Sequence, residues 1–249
     1  MGDKIFTSGK DISSIEFYEQ IPHLKKTPMT IPPSPATFFA TYEDAIKEVE
    51  TVFSIHISKL MSETLKSAEQ AKSMLPFLDV RIFDSMTTGA ALGLIVLIAA
   101  KAAKNGRTPE EIESIIKDAI RQVNVVGFPK TLNYLIKGGR IGRAKGLIGK
   151  LLGRLPILTV KEGETASIAT VQGQENALSW ILNYLEKEQI DSTTPLAITH
   201  GNIPQTANSL KLSLENRFNC TPTYIEFVGP IVGAHLGPGC LYIAYMRKK

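Results

Sequence analysis

The sequence predicts an α/β protein of two domains, the first a parallel-sheet layer fold and the second with a mixed sheet. In the first half of the chain, helical and strand patterns alternate, which is typical of parallel α/β layers. In the second half, residues 156–172 form an alternating run around Glu162-Gly163, which indicates an antiparallel hairpin. The length of 249 residues allows two domains, and we predict them at 1–122 and 123–249.

The first half opens with residues 1–33, which contain several prolines and are expected to be irregular. Ser34 suits an N-cap and Pro35 a first helical position, so a helix should begin there. Thr108 and Glu111 have the spacing of a capping box at the start of another helix. The predicted elements are helix 35–49, strand 51–58, helix 62–75, strand 79–85, helix 88–104 and helix 109–122.

The second half has a different pattern, with strands that do not alternate regularly with helices. Its predicted elements are strand 123–128, a basic glycine-rich helical stretch 131–153, hairpin 156–172, helix 175–187, strand 195–201, helix 204–217, strand 222–229 and strand 240–246. Between the last two strands, residues 229–239 hold four glycines, two prolines and one histidine, and we expect a loop. His235 is the titratable group of that loop, and its alternative interpretation is an incidental residue in a structural turn. His200, at another strand end, is expected to cap or pack.

Charge is unevenly distributed along the chain. The net charge is +4, but residues 119–161 contain nine Lys or Arg and no Asp or Glu, which leaves −5 for the rest. Such an excess favours an anionic partner on that face, although a solvated basic face is the alternative. Within the segment, "KGGRIGR" lacks the spacing of a nucleotide-binding loop. We therefore interpret Gly138 and Gly139 as a tight turn within an acid-free basic segment, with Arg140 as its candidate functional residue.

Several classes of protein receive little support. The two cysteines, Cys220 and Cys240, are expected to be reduced thiols of a cytosolic protein. The chain opens on polar residues, and its most apolar run, 89–100, is too short to span a bilayer. We expect a cytoplasmic protein without stable membrane insertion. Metal and nucleotide motifs are missing, and aromatic residues are only 7%, so neither a metal, a cofactor nor a nucleic acid is expected.

Small hydroxyl residues follow the predicted strands of the first half. They are Ser58 and Ser62 after the first strand, Ser85, Thr87 and Thr88 after the second, and Thr30 and Ser34 at the first helix. Each alone is more often an N-cap, but ligands of open α/β sheets bind outside the carboxyl ends of strands. The group therefore suggests a site for a carboxylate or a phosphate. No obvious general base accompanies it, which favours binding over catalysis.

Six segments, in chain order, form a pattern that covers essentially the whole chain: "SPATFFATYE", "SIHISKLMSETLKSAEQA", "VRIFDS", "GLIVLIAAKAAKNGRTPEEI", "TLNYLIKGGRIGRAKGLIGKLLGRLPILTVKEGE" and "FVGPIVGAHLGPGCLYIAY". Together they resemble the DegV family of bacterial lipid-binding proteins. The resemblance implies two α/β domains with a fatty acid held between them, its acyl chain in an apolar tunnel and its carboxylate facing hydroxyl residues. Some members deliver the bound acid to a separate kinase, which phosphorylates it to an acyl phosphate.

The resemblance also implies roles for individual residues. The family's serine and threonine of S-G-T fall on Ser62 and Thr64, and its loop histidine on His235. Together with Thr30, these would bind the carboxylate. The arginine of the glycine-rich motif falls on Arg140, which with Gly138 and Gly139 would face the phosphate or a partner. Arg140 and His235 would add positive charge there.

The chain departs from the family pattern in three places. Met29 and Ile31 replace hydroxyl residues of T-T-S-Q-P-S, and Glu63 replaces the glycine of S-G-T. The family's opening strand, with its Asp-Ser-Thr turn, has no counterpart here, as though about thirty residues were absent.

The preferred hypothesis is a fatty-acid carrier that is not an enzyme by itself and has a fatty acid kinase as its possible partner. One alternative is a phosphoryl-transfer enzyme acting on a small hydroxylated substrate. Another is a module that docks a partner or a nucleic acid through the basic face.

Overall fold

The computed structural model describes residues 1–2, 4–220 and 224–248, and it confirms the α/β class. The helices are α1 (Ser14–Gln20), α2 (Pro35–Ala45), α3 (Thr64–Ser73), α4 (Gly89–Lys104), α5 (Pro109–Gln122), α6 (Asn133–Lys137), α7 (Gln174–Lys187), α8 (Pro204–Phe218) and α9 (Pro230–Leu236). Short 3₁₀ turns lie at Ile21–His23 and Gly142–Leu147. The strands are β1 (Thr51–His56), β2 (Asp79–Asp84), β3 (Val123–Phe128), β4 (Arg154–Lys161), β5 (Glu164–Gln172), β6 (Ala197–His200), β7 (Tyr224–Phe227) and β8 (Leu241–Met246).

The strands form a small parallel sheet and a larger mixed sheet, as predicted. β1 and β2 pair in parallel, with Thr51 opposite Asp79 and His56 opposite Asp84. The larger sheet has the order β5-β4-β3-β8-β6-β7, and only its β6–β7 pair is parallel. Its two faces bury different cores, one beneath α4 and α5 and the other beneath α7 and α8.

Local sequence signals of the predicted helix and hairpin ends are confirmed. Thr108 and Glu111 form the reciprocal capping box of α5, with bonds of 3.2 Å and 2.8 Å. Glu162 and Gly163 join β4 and β5 with φ of 52° and 81°, the left-handed pair that a two-residue hairpin turn requires.

Three predictions of local structure were wrong. Within residues 1–33, the sequence Ser13-x-x-Glu16 forms a capping box that starts α1, and the helix buries Phe17 and Tyr18. Residues 131–153 are helical only in α6 and one 3₁₀ turn. Their glycines at 139, 142, 149 and 153 adopt φ from 49° to 77° and interrupt the helix.

The expected loop at 229–239 contains α9. Pro230 suits the first turn of this helix, and Gly237 with φ 73° ends it, so the two residue types mark its limits. The strand predicted at 222–229 is observed as β7, and Thr221–Thr223 lie outside the described residues.

The boundary predicted at 122/123 coincides with the end of α5 and the start of β3. It stays a prediction, because one continuous core contains residues from both sides of it. Leu94 and Ile95 of α4 are buried together with Val125 of β3 and Tyr242 of β8.

A buried contact also joins the two halves. Ser58, just beyond β1, is fully buried and donates from its hydroxyl to the Gly163 carbonyl at 2.8 Å. A Cβ at Gly163 would lie 2.6 Å from the Ser58 Oγ, whereas one at Gly106, the left-handed residue with φ 72° that ends α4 in a Schellman cap, would meet no atom within 4 Å.

We predict that Gly163→Ala destabilises the protein more than Gly106→Ala. Both variants incur the strain of a left-handed residue, about 1–2 kcal/mol, but only Gly163→Ala adds a steric clash of about 1–3 kcal/mol. Urea unfolding of both variants measures the difference. Equal losses of unfolding free energy would show that the Ser58 contact does not constrain the hairpin.

Candidate functional site

A cavity of about 1170 Å³ lies between the loops of the first half and one face of the six-stranded sheet. Much of its wall is apolar, with side chains from both halves of the chain. These include Phe6, Phe17, Val125, Leu158, Phe227 and Tyr242. Polar side chains that line it include Thr30, Ser62, Thr64, Thr88, Arg140 and His235. The cavity is therefore amphipathic and large enough for an extended ligand.

The hydroxyl residues that the sequence grouped together separate into two sets. Thr30, Ser62 and Thr88 line the cavity, as does Thr64, which the family resemblance indicated. Ser58, Ser85 and Thr87 are buried and bond to nearby backbone groups, while Ser34 caps α2 through the Thr37 N–H. Thr88 precedes α4 without capping it, so its hydroxyl adds to the polar lining beyond the four residues that the resemblance assigned to the carboxylate.

Ser62 and Thr64 lie at the start of α3. Their hydroxyls bond to each other at 2.8 Å, and the Thr64 N–H donates to the Ser62 Oγ at 3.2 Å. The preceding turn is closed by the Ser62 N–H, which donates to the Ser58 carbonyl. The helix start and the hydroxyl pair together provide donors for an anionic group.

The two glycines of the basic motif have different roles. Gly139 has φ 68°, and the bonds from the Gly139 N–H to the Ile136 carbonyl and from the Arg140 N–H to the Leu135 carbonyl form a Schellman cap on α6. Gly138 has an ordinary helical φ of −80°. A Cβ at Gly138 would lie 2.2 Å from the His235 Nδ1, so this glycine provides clearance for the imidazole instead of a turn.

Arg140 is held over the cavity by two carbonyl groups. Its Nε donates to the Met61 carbonyl at 3.0 Å and one terminal nitrogen donates to the Gly138 carbonyl at 2.7 Å. In the described part of the chain, Arg140 forms no ion pair with a carboxylate. Its charge is therefore available to an anionic ligand, and its carbonyl contacts orient the guanidinium. The Met61 carbonyl could not have been identified from the sequence, because a backbone acceptor has no residue signature.

His235, on α9, contacts two other segments of the site. Its Nε2 lies 2.9 Å from the Thr30 Oγ1, and its ring lies against Gly138. Its Nδ1 is buried without a hydrogen-bond partner among the described residues.

The expectation that His235 adds positive charge was wrong for the unliganded protein. Burial of the imidazole, and secondarily the neighbouring Arg140 guanidinium, lower the pKa of His235 to about 4. The ring is therefore neutral at pH 7, and Arg140 supplies the charge of this group.

The side chains at the positions that depart from the family pattern are exposed, and two of them, Met29 and Ile31, also line the cavity. Glu63 has an exposed side chain that pairs with Lys66 at 3.4 Å. Met29 and Ile31 are 88% and 73% exposed, while Thr30 between them faces His235. His200 packs its ring on Phe227 with centroids 4.7 Å apart, and its Nδ1 accepts from the Ile203 N–H, as predicted for a capping and packing residue.

The described ranges contain neither a candidate metal site nor a candidate membrane span. No group of three or more His, Cys, Asp or Glu side chains within 1–2, 4–220 and 224–248 could hold a metal ion. None of the helices in those ranges is long and apolar enough to cross a membrane.

The depressed pKa of His235 gives a stability prediction. Between pH 6.5 and about 4, the unfolded histidine binds a proton that the folded one does not, so unfolding free energy falls as pH falls. The His235→Gln variant has no imidazole at this position, so its unfolding free energy lacks this dependence on pH. We expect the stability advantage of wild type over the variant to shrink from pH 7.5 to pH 5 in urea unfolding. An advantage that stays constant with pH would contradict the buried neutral imidazole.

Comparison with known proteins identifies relatives along the whole chain. The family model "Uncharacterised protein, DegV family" matches residues 1–248. A DegV domain-containing protein of Clostridium acetobutylicum is 33% identical over 245 residues, which cover 96% of this chain and 85% of that protein. Protein DegV of Bacillus subtilis is 31% identical over 235 residues, which cover 93% and 83% of the two chains.

Solved structures of similar proteins have the same fold. A DegV family protein from Thermus thermophilus, described by its fatty acid binding, has a TM-score of 0.88, 26% identity and coverage of 98% of this chain and 88% of that one. DegV from Bacillus subtilis, described as a fatty acid binding protein, has a TM-score of 0.85, 28% identity and coverage of 99% and 88%. The matches in sequence and in fold extend over nearly all of the chain, which therefore belongs to the DegV family.

Proposed function

We propose that this protein binds a long-chain fatty acid in the cavity, with the acyl chain along the apolar wall. The carboxylate would lie at the polar group, which consists of Thr30, Ser62, Thr64, Arg140 and His235. The observation that supports this most is the joint presence, in one cavity, of a large apolar wall and an arginine that pairs with no carboxylate among the described residues. The Thermus thermophilus and Bacillus subtilis relatives, described as fatty acid binding, support the same ligand class.

The size of the cavity agrees with a single acyl chain. At about 30 Å³ for each carbon, a chain of about 18 carbons needs roughly 540 Å³. The cavity of about 1170 Å³ holds that chain and leaves space for water at its polar end. Each buried methylene contributes about 0.8 kcal/mol, so the apolar wall supplies most of the affinity and the polar group orients the acid.

The polar residues can hold the carboxylate through complementary interactions. The hydroxyls of Thr30, Ser62 and Thr64 would donate hydrogen bonds, and Arg140 would supply positive charge. The neutral His235 ring would donate a hydrogen bond to the carboxylate when the carboxylate replaces Thr30 as its partner. Gly138 leaves space for the His235 ring, and Gly139 turns the backbone so that Arg140 lies near that ring.

We also propose that the protein acts as a carrier that presents the carboxylate to a fatty acid kinase. In that reaction, a carboxylate oxygen would attack the terminal phosphorus of a nucleoside triphosphate held by the kinase. An acyl phosphate and the nucleoside diphosphate would form. Arg140 would face the arriving phosphate, since its guanidinium has donors beyond those bonded to Met61 and Gly138.

Native mass spectrometry of the purified protein, with and without added oleate, tests the ligand. We expect a 1:1 complex with a fatty acid, carried from expression or formed on addition. A protein that is free of lipid and also ignores oleate would contradict the proposal. The same measurement with added ATP and Mg²⁺ distinguishes a fatty acid carrier from a phosphoryl-transfer enzyme, which would bind the nucleotide.

A matched pair of glycine variants tests the polar group within that experiment. Gly138→Ala places a methyl group against the His235 ring and must displace it from Thr30, so we expect about tenfold weaker binding of oleate or more. Gly146→Ala, at an exposed position where a Cβ meets no atom within 4 Å, is the control and should bind normally. Equal affinities in the two variants would place the carboxylate away from His235.

Arg140→Ala separates binding from presentation. Because the acyl chain supplies most of the affinity, we expect the variant to retain oleate with at most a severalfold loss. Phosphorylation of the bound acid by a cognate kinase should be lost, as measured by acyl phosphate formation. Normal phosphorylation of the acid bound to the Arg140→Ala variant would mean that Arg140 has only a structural role.

A further inference from the structure

A second, smaller pocket of about 170 Å³ lies beside the large cavity. It is formed by the segment after α1 and by the outer side of α6. Its lining residues are Ile21, Leu24, Lys25, Lys26, Thr27, Pro28, Asn133, Tyr134 and Lys137. Three of these nine residues are lysines, and none is acidic, so the pocket has a strong positive bias.

The positive bias arises from two acid-free segments that meet in the fold. Residues 20–42 contain no Asp or Glu, and neither do residues 119–161. Lys25 and Lys26 come from the first segment and Lys137 from the second, although more than 100 positions separate them. The anionic partner that the charge pattern favoured therefore has a defined concave surface on which to bind.

Two arginines of the second segment are already paired with carboxylates. Arg121 pairs with Asp118, and Arg143 pairs with Glu162 at 2.6 Å and Glu164 at 3.2 Å. By contrast, Lys25, Lys26 and Lys137 are exposed, and no carboxylate in the described part of the chain lies within ion-pair distance of them. Three unpaired ammonium groups around one pocket repel one another, and an anion would relieve that repulsion.

The backbone around the pocket is well defined. The Schellman cap ends α6 directly after Lys137, and the Tyr134 ring lies so close to Gly237 that a Cβ there would be 2.2 Å away. On the other side, Pro28 is buried and restricts the chain after Lys26. Asn133, Thr27 and Tyr134 add neutral donors to the lining.

We propose that this pocket binds a phosphate group, which belongs either to a small phosphorylated compound or to an anionic lipid headgroup. A volume of about 170 Å³ corresponds to five or six water-sized groups at about 30 Å³ each, which matches a phosphate with its first oxygen shell. Lysine ammonium groups bind phosphate as point charges, and the amide and hydroxyl groups complete its hydrogen bonds. This phosphate site is separate from the residues proposed to bind the fatty acid carboxylate, and the proposal does not depend on fatty acid binding.

The pocket shares a wall with the large cavity, since Lys26, Thr27 and Pro28 line both. A phosphate bound in the pocket would thus lie just outside the segment that carries Thr30. For a lipid headgroup, this arrangement would bring the cavity next to the lipid surface.

The test compares two triple variants that remove the same charge from exposed positions. Lys25→Gln/Lys26→Gln/Lys137→Gln removes the pocket lysines, and Lys101→Gln/Lys104→Gln/Lys248→Gln is the control. One arm is calorimetric titration with inorganic phosphate and with pyrophosphate at low salt. The other arm is co-sedimentation with phosphatidylcholine vesicles that contain roughly 30% phosphatidylglycerol, repeated at higher salt.

We expect the pocket variant to lose about tenfold or more in one arm, while wild type and the control triple bind alike. Loss in the titration identifies a free phosphate compound, and loss confined to the vesicles identifies a lipid headgroup. Equal binding by the two triples in both arms, or no binding by wild type, would overturn the proposal. Oleate binding by wild type reports on the fatty acid proposal, and urea unfolding of both triples shows that they fold, so a failure here is distinct from a failure of that proposal.

Discussion

The contact of His235 with Thr30 and Gly138 is the constraint on which the candidate site depends. It brings together residues 25–33, the capped end of α6 and α9. Among the described residues, residues 25–33 make no backbone hydrogen bond to the rest of the protein, and the Thr30–His235 bond is their one side-chain hydrogen bond to it. The wall of the cavity that carries Thr30 therefore owes its position to apolar contacts and to this single bond, which an anionic ligand can replace.

Much of the fold could be predicted because its signals are local. The capping box of Thr108 and Glu111 and the turn at Glu162-Gly163 depend only on residues a few positions apart. Two of the three failures came from residues 131–153 and 229–239, where glycines are consistent with a loop, a cap or a helix end. In α9, the structure resolves this ambiguity through packing of Gly233 against Phe17 and Tyr18, which no local pattern shows.

The site could be predicted in part. Hydroxyl residues after strands and the family resemblance indicated Thr30, Ser62 and Thr64, and all three line the cavity. The sequence could not indicate the neutral state of His235, because its pKa depends on burial and on Arg140, which is distant in sequence. The role of Gly138 was equally hidden, since a need for space reflects a neighbour nearly a hundred residues away.

The central claim is that a fatty acid lies in the cavity with its carboxylate beside Arg140 and the hydroxyl group. Carbon-13 NMR of carboxyl-labelled palmitate bound to the protein, followed through a pH titration, tests it most directly. The guanidinium and the hydroxyl donors favour the ionised form, so the bound carboxyl should titrate clearly below the carboxyl of a short, monomeric aliphatic acid in the same buffer. A bound carboxyl that titrates at or above that of the short acid would contradict the account.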